Sequence, residues 1–161
     1  MKQYPVETLL EALENNQAVL ELQTADITHE QSLLKPPFYA NSMNWVLGHL
    51  LQSRSWMLEQ VGLSGYMPQE EAMLYQRNAP EMDDTERASR LESLLDRLKE
   101  TNNLLKDRLM AMSSEELHKE IPIFGGTTLS AFLGFLLWHE TYHVGQLEIL
   151  RNFAGRHEKL I

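Results

Sequence analysis

A chain of 161 residues, 43% hydrophobic and 23% charged, is long enough to bury a core and is expected to form one domain over its whole length. Its 23 acidic and 14 basic residues leave a formal charge of −9 with no dense Lys/Arg cluster, which argues against nucleic acid or an anionic membrane surface as a partner. It has no cysteine, its amino-terminal stretch is broken by acids too early for a signal peptide, and no run approaches the roughly 18 to 20 apolar residues of a membrane span; a soluble, cytoplasmic protein is expected, in which any metal is held by His, Asp, Glu or water.

Helical signals dominate. After Pro5, the positions Leu9, Leu10, Leu13, Gln17 and Leu20 mark one face of a first helix ending near Thr24. The stretch ITHEQSLLKPPFYANSMNW reads as a connection, with Thr28 and Gln31 as a capping box and Pro36-Pro37 forbidding helix. A second helix is capped by Asn41 or Ser42 and stops at Gly62. The residues from Gly62 to Asp84, with Gly65, Pro68 and Pro80, predict a long loop partly ordered by short turns. Leu91, Leu95, Leu98, Leu105, Leu109 and Met112 predict a third helix from about Thr85 to Met112. Ser113 and Glu116 then suggest a second capping box, and EIPIFGGTT a β-like run too short to found a sheet. The fourth helix starts near Thr127 or Thr128 and ends at Ala154, before Gly155. Together these elements predict an all-α, up-down four-helix bundle with a long connection between helices 2 and 3.

Residues Trp138 to Asn152 read WHETYHVGQLEILRN, a literal H-E-x-x-H. On a helical wheel at about 100° per residue with Phe132 as origin, His139 falls near 340° and His143 near 20°, in the middle of the predicted apolar stripe. Glu140 falls at the stripe's edge, near 80°. His49, in the run NWVLGHLLQ, shares a face with Trp45, Val46, Ser53 and Trp56, which also points inward. Three inward imidazoles without a metal would leave polar groups to satisfy at about 1 to 3 kcal/mol each, so the set points to a metal site. Three His ligands and no thiolate suit Zn²⁺ or Ni²⁺, and Fe²⁺ or Mn²⁺ less well. His29, His118 and His157 fall in or beside turns or in the tail and are expected at the surface.

A zinc protease is disfavoured. It needs a third ligand downstream, where Glu148 is expected to face solvent and His157 and Glu158 belong to the tail; Gln146 and Ile149 occupy the places of the extended motif's Gly and His. No sheet edge is predicted to align a peptide. Glu140 is therefore read as a carboxylate behind the ligands or at the rim, rather than a general base.

The run NWVLGHL on helix 2, with His139-Glu-Thr-Tyr-His143-Val-Gly145-Gln146 on helix 4, resembles the DinB/YfiT-like superfamily of bacterial four-helix-bundle proteins, unrelated to the DNA polymerase that shares the DinB name. The resemblance extends over the whole chain and departs from the commoner spellings at Glu140 and Val144. It implies metal binding by His49, His139 and His143, with Gln146 at a place where the family frequently has glutamine. It also implies divalent-metal chemistry of the kind found in the family's thiol S-transferases, which use a low-molecular-weight thiol, and a homodimer. The leading expectation is a metal-dependent thiol S-transferase or hydrolase acting on a small electrophilic substrate. That substrate would lie against Trp45, Trp56, Trp138 or Tyr142, unless these rings are plain core. A non-catalytic metal- or small-molecule-binding stress protein, or a structural dimer with a vestigial site, would show the same ligands.

Overall fold

The structure is a computed structural model that describes residues 3–38, 40–79 and 87–161. In chain order the elements are α1 (Val6–Thr24), α2 (His29–Ser32), α3 (Met43–Gln60), α4 (Gln69–Tyr75), α5 (Leu91–Ala111), α6 (Ser114–His118), β1 (Glu120–Ile121), β2 (Thr127–Thr128) and α7 (Leu129–Phe153). The four long helices α1, α3, α5 and α7 form the all-α four-helix bundle expected from the sequence, but without the strict up-down alternation expected of it. Among the described residues, no helix is long and apolar enough to cross a membrane.

The caps follow local chemistry. Ser42 and Thr128 accept backbone N–H bonds from Trp45 and Ala131 and start α3 and α7. Both predicted capping boxes form, Thr28 with Gln31 and Ser113 with Glu116. Gly155, at φ +86°, follows the end of α7 in a left-handed conformation that a side chain would strain. The β-like run makes two residue pairs, Glu120 with Thr128 and Ile121 with Thr127.

Two apolar clusters, one at each end of the bundle, fix the helix directions. One joins Leu20 of α1, the first half of α3 (Met43 to Leu51), the first half of α5 (Leu91 to Leu98) and the last part of α7 (Val144 to Leu150). The other joins Leu9 and Leu13, Met57 and Leu58, Leu105 and Leu109, and Leu129 to Leu137. The directions are therefore up, down, down, up. Alternation holds between α1 and α3 and between α5 and α7, while α3 and α5 are parallel neighbours. A parallel pair needs a connection that runs the length of the bundle, which is why the link between them is long. Helix α4 lies within it, where the sequence suggested only short turns.

Between the two clusters lies a buried polar layer. Arg54 of α3, fully buried, donates from Nε and Nη2 to the two carboxylate oxygens of Glu140 on α7, at 3.0 and 2.7 Å. Its Nη1 donates to Gln17 Oε1 on α1 at 2.8 Å and to the Leu98 carbonyl on α5 at 2.6 Å. One side chain thus ties all four long helices at a single level.

Three sequence expectations change. Glu140 is fully buried, and the buried arc of α7 centres on Glu140, Leu147, Leu133 and Val144, with His139 and His143 half-buried at its margin. The arc is displaced because α7 packs between α1 and α3. The third helix begins at Leu91: Ser89 is held out of helix by its bonds to Tyr75 and Glu71. Pro80, Asp84 and the expected start at Thr85 lie outside the described residues. His29 is buried, not at the surface, because its Nδ1 accepts the Leu91 N–H at the start of α5; His118 and His157 are exposed as expected.

Candidate metal centre

Helices α3 and α7 run antiparallel side by side, which brings the middle of one level with the middle of the other. His49 then faces His139 and His143, one helical turn apart on α7. The three Nε2 atoms converge: His139 Nε2 is 3.4 Å from that of His49 and 3.1 Å from that of His143. Two nitrogens bound to a tetrahedral zinc at about 2.1 Å would stand about 3.4 Å apart, so these separations fit a shared ion. Among the described residues, this is the one group of three potential ligands close enough to hold a metal.

The other ring nitrogens decide which tautomer each histidine adopts. His49 Nδ1 donates to the Tyr75 carbonyl at 2.7 Å, and His143 Nδ1 donates to Gln146 Oε1 at 2.8 Å. Both rings therefore aim an unprotonated Nε2 at the centre. A single proton on His139 Nε2 could satisfy only one of those lone pairs, whereas a cation satisfies all three. His139 Nδ1 is buried with no protein partner. Gln146 orients a histidine, and the Tyr75 carbonyl does the same from α4. A divalent ion held here would have His49, His139 and His143 as its ligands.

Burial pushes all three imidazoles toward the neutral form. For His139 repulsion from His143, His49 and Arg77 adds to burial, and its pKa falls to about 4. Burial lowers His49 against the opposing bond to Tyr75, and lowers His143 against the bond to Gln146. An unfolded histidine titrates near 6.5, so between that pH and the lower folded values the unfolded chain binds more protons. In the metal-free chain the histidines' contribution is undiminished above about pH 6.5 and is lost as pH falls toward 4. Thermal melts of metal-free protein should show this fall, and His139→Gln should make it shallower. An equal fall in the variant would show that His139 is not held neutral.

Gly48 is required where it stands. A Cβ there would sit 2.2 Å from the ring of Tyr75, which is itself fully buried. Gly48→Ala should displace α4 and with it the carbonyl that holds His49. The expected loss is about 1 to 3 kcal/mol of stability, together with weaker metal binding, read by urea unfolding and a zinc titration. Unchanged zinc affinity would mean that Tyr75 does not hold the ligand.

Of the residues singled out in the sequence, the structure brings together His49, His139, His143, Gln146, Trp45 and Tyr142. Trp45 stacks on His49 at 4.8 Å, and Tyr142 meets His143 edge-on at 5.2 Å. Tyr142 and Trp138 are 60% and 62% exposed, so neither is core. Trp56 packs on the fully buried ring of Phe132. Glu140, expected behind the ligands or at the rim, turns away from the centre into Arg54. Sequence reasoning missed Arg54, although it is the one charged residue between Met43 and Leu58 of an otherwise buried helix. The Tyr75 carbonyl, a backbone group, left no signal to read.

Comparison with known proteins agrees with this architecture. A conserved protein from Enterococcus faecalis superposes with a TM-score of 0.72 at 16% identity, over 95% of this chain and 98% of its own. YfiT from Bacillus subtilis, described as a probable metal-dependent hydrolase with an unusual four-helix bundle topology, gives 0.64 at 17% identity, over 96% and 90%. No curated protein sequence matches. The family model of the DinB superfamily matches residues 12–147, and the chain belongs to that superfamily.

Proposed function

We propose that this protein is a cytoplasmic, divalent-metal-dependent enzyme, a thiol S-transferase or hydrolase, that uses zinc or nickel at His49, His139 and His143. The observation that carries the reading is the convergence of three Nε2 atoms, two of them fixed as acceptors through their Nδ1 bonds. A divalent ion held there would lower the pKa of a bound thiol or water, so that a nucleophile exists at neutral pH. The chain's own part is to keep the imidazoles neutral and aimed and to set aromatic side chains beside them. Trp45 and Tyr142 flank the ligands, where a small electrophile would lie.

The protease reading finds no support in the position of Glu140. Both of its oxygens are taken by Arg54 in a fully buried pair, so it cannot serve as a base toward the histidines. A thiol co-substrate removes the need for such a base, because it brings its own nucleophile. The test is a panel of small electrophiles offered with glutathione, bacillithiol or mycothiol, or with water alone, to zinc- and nickel-loaded protein. Turnover that disappears on chelation supports the enzyme. Ligand retained without conversion would make the protein a binder, the alternative kept from the sequence.

We further propose a homodimer formed through α7. Trp138, Tyr142 and Ile149 expose 62%, 60% and 59% of their surface along one stripe. Gly145 lies among them, with nothing within 4 Å of where a Cβ would sit, so a second copy can approach closely. Light scattering should give twice the chain mass, and Ile149→Glu should return it to one. A monomeric wild-type protein would end the proposal.

A further inference from the structure

Phe124 is out of place by local rules. It precedes Gly125 and Gly126 in the β1–β2 turn, and all three have positive φ, +53° for Phe124 itself. A bulky residue rarely adopts that conformation, and a turn that only had to reverse the chain would use Gly or Asn there. The ring is also 57% exposed, so burial does not explain it.

Its contacts suggest a purpose. The Phe124 ring lies 6.2 Å from Trp56, 6.2 Å from Phe132 and 5.6 Å from Phe135. Trp56 meets Phe132 edge-to-face at 4.7 Å and 78°. Trp56 is two turns beyond His49 along α3, and Phe135 is one turn before His139 along α7. Phe124, Phe135 and Trp56 therefore form an aromatic wall backed by the fully buried Phe132, on the same sides of α3 and α7 as His49 and His139.

We propose that this wall is a binding subsite for the neutral aryl portion of the substrate, with the electrophilic atom directed along α3 and α7 toward the histidines. The inference rests on the function proposed above and narrows its substrate class. Rings already packed edge-to-face offer a further aromatic ring the same favoured arrangement, which an alkyl chain cannot use. The rings the wall presents, Phe124, Phe135 and Trp56, supply no ion-pairing group, so the moiety it takes is uncharged.

Phe124→Gly tests this cleanly, because glycine accepts the positive φ while the ring is removed. Binding of 1-naphthol and of n-hexanol to the full chain, with and without one equivalent of zinc, would be followed by calorimetry. The expected result is at least tenfold preference for naphthol in the wild type, and at least tenfold weaker naphthol binding in Phe124→Gly. Melting temperature and zinc affinity should not fall. Trp56→Leu should weaken naphthol in the same way. Equal naphthol affinity in wild type and Phe124→Gly would overturn the proposal. So would conversion of a dimer to a monomer by Phe124→Gly, which would make the wall an interface between copies. Protein that binds naphthol but takes up no metal would keep the subsite and end the metal reading; zinc uptake without naphthol binding would do the reverse.

Discussion

Glu140→Gln should lower the stability of the fold by about 3 to 5 kcal/mol, although it alters only a few atoms, because it leaves the Arg54 guanidinium buried without its counter-charge. Neither side chain of the pair has any exposed surface, so water cannot replace the carboxylate. With a total stability of roughly 5 to 15 kcal/mol for an ordinary domain, the variant would forfeit a large share. Removing both charges is a different matter. The double variant Arg54→Met/Glu140→Leu should regain much of the loss, since buried ion pairs are often replaceable by apolar groups of similar volume. It would still leave Gln17 Oε1 and the Leu98 carbonyl without the Arg54 donor. Urea unfolding of the three proteins decides the matter. A loss below about 1 kcal/mol for Glu140→Gln would show that the guanidinium finds other partners.

Replacing His139 and His143 together by Ala should abolish metal binding without unfolding the bundle. Both rings are half-buried at the margin of the α7 core, so their removal takes little from either apolar cluster. Wild-type protein purified without an affinity tag should carry about one divalent ion per chain, and the variant none, with the helical circular dichroism preserved. Zinc at about a thousand times its dissociation constant should stabilise the wild type by about 4 kcal/mol and the variant not at all. Chelator-sensitive turnover should vanish with the metal. A variant that still binds one equivalent with wild-type affinity would mean that the ligands lie elsewhere.

The bundle and its three histidines were legible in the sequence because both rest on periodicity: leucines spaced by three and four, and two imidazoles four apart on one helix. Short caps were equally legible, since each depends on residues three apart. What was not legible depends on how helices sit against one another. The buried arc of α7 is set by its neighbours, so a wheel drawn on that helix alone put Glu140 at the edge and the histidines in the middle. Glu140 could be placed only by knowing that Arg54 comes level with it from α3. The buried His29 and the late start of α5 share a similar cause, bonds reaching across from other segments of the chain.

The carbonyl of Tyr75 belongs to the connection that carries the chain from α3 back to the start of α5, and it also fixes a ligand. Ion occupancy and the order of that connection are therefore linked quantities. Whatever free energy an ion gains from a correctly aimed His49 is available to hold α4 down on Gly48, and whatever loosens α4 must weaken the ion's hold by the same amount. Amide hydrogens along α4 should exchange more slowly in loaded protein than in chelated protein, although α4 contributes no ligand. A long crossover forced by two parallel helices thereby becomes a reporter of the state of the metal centre.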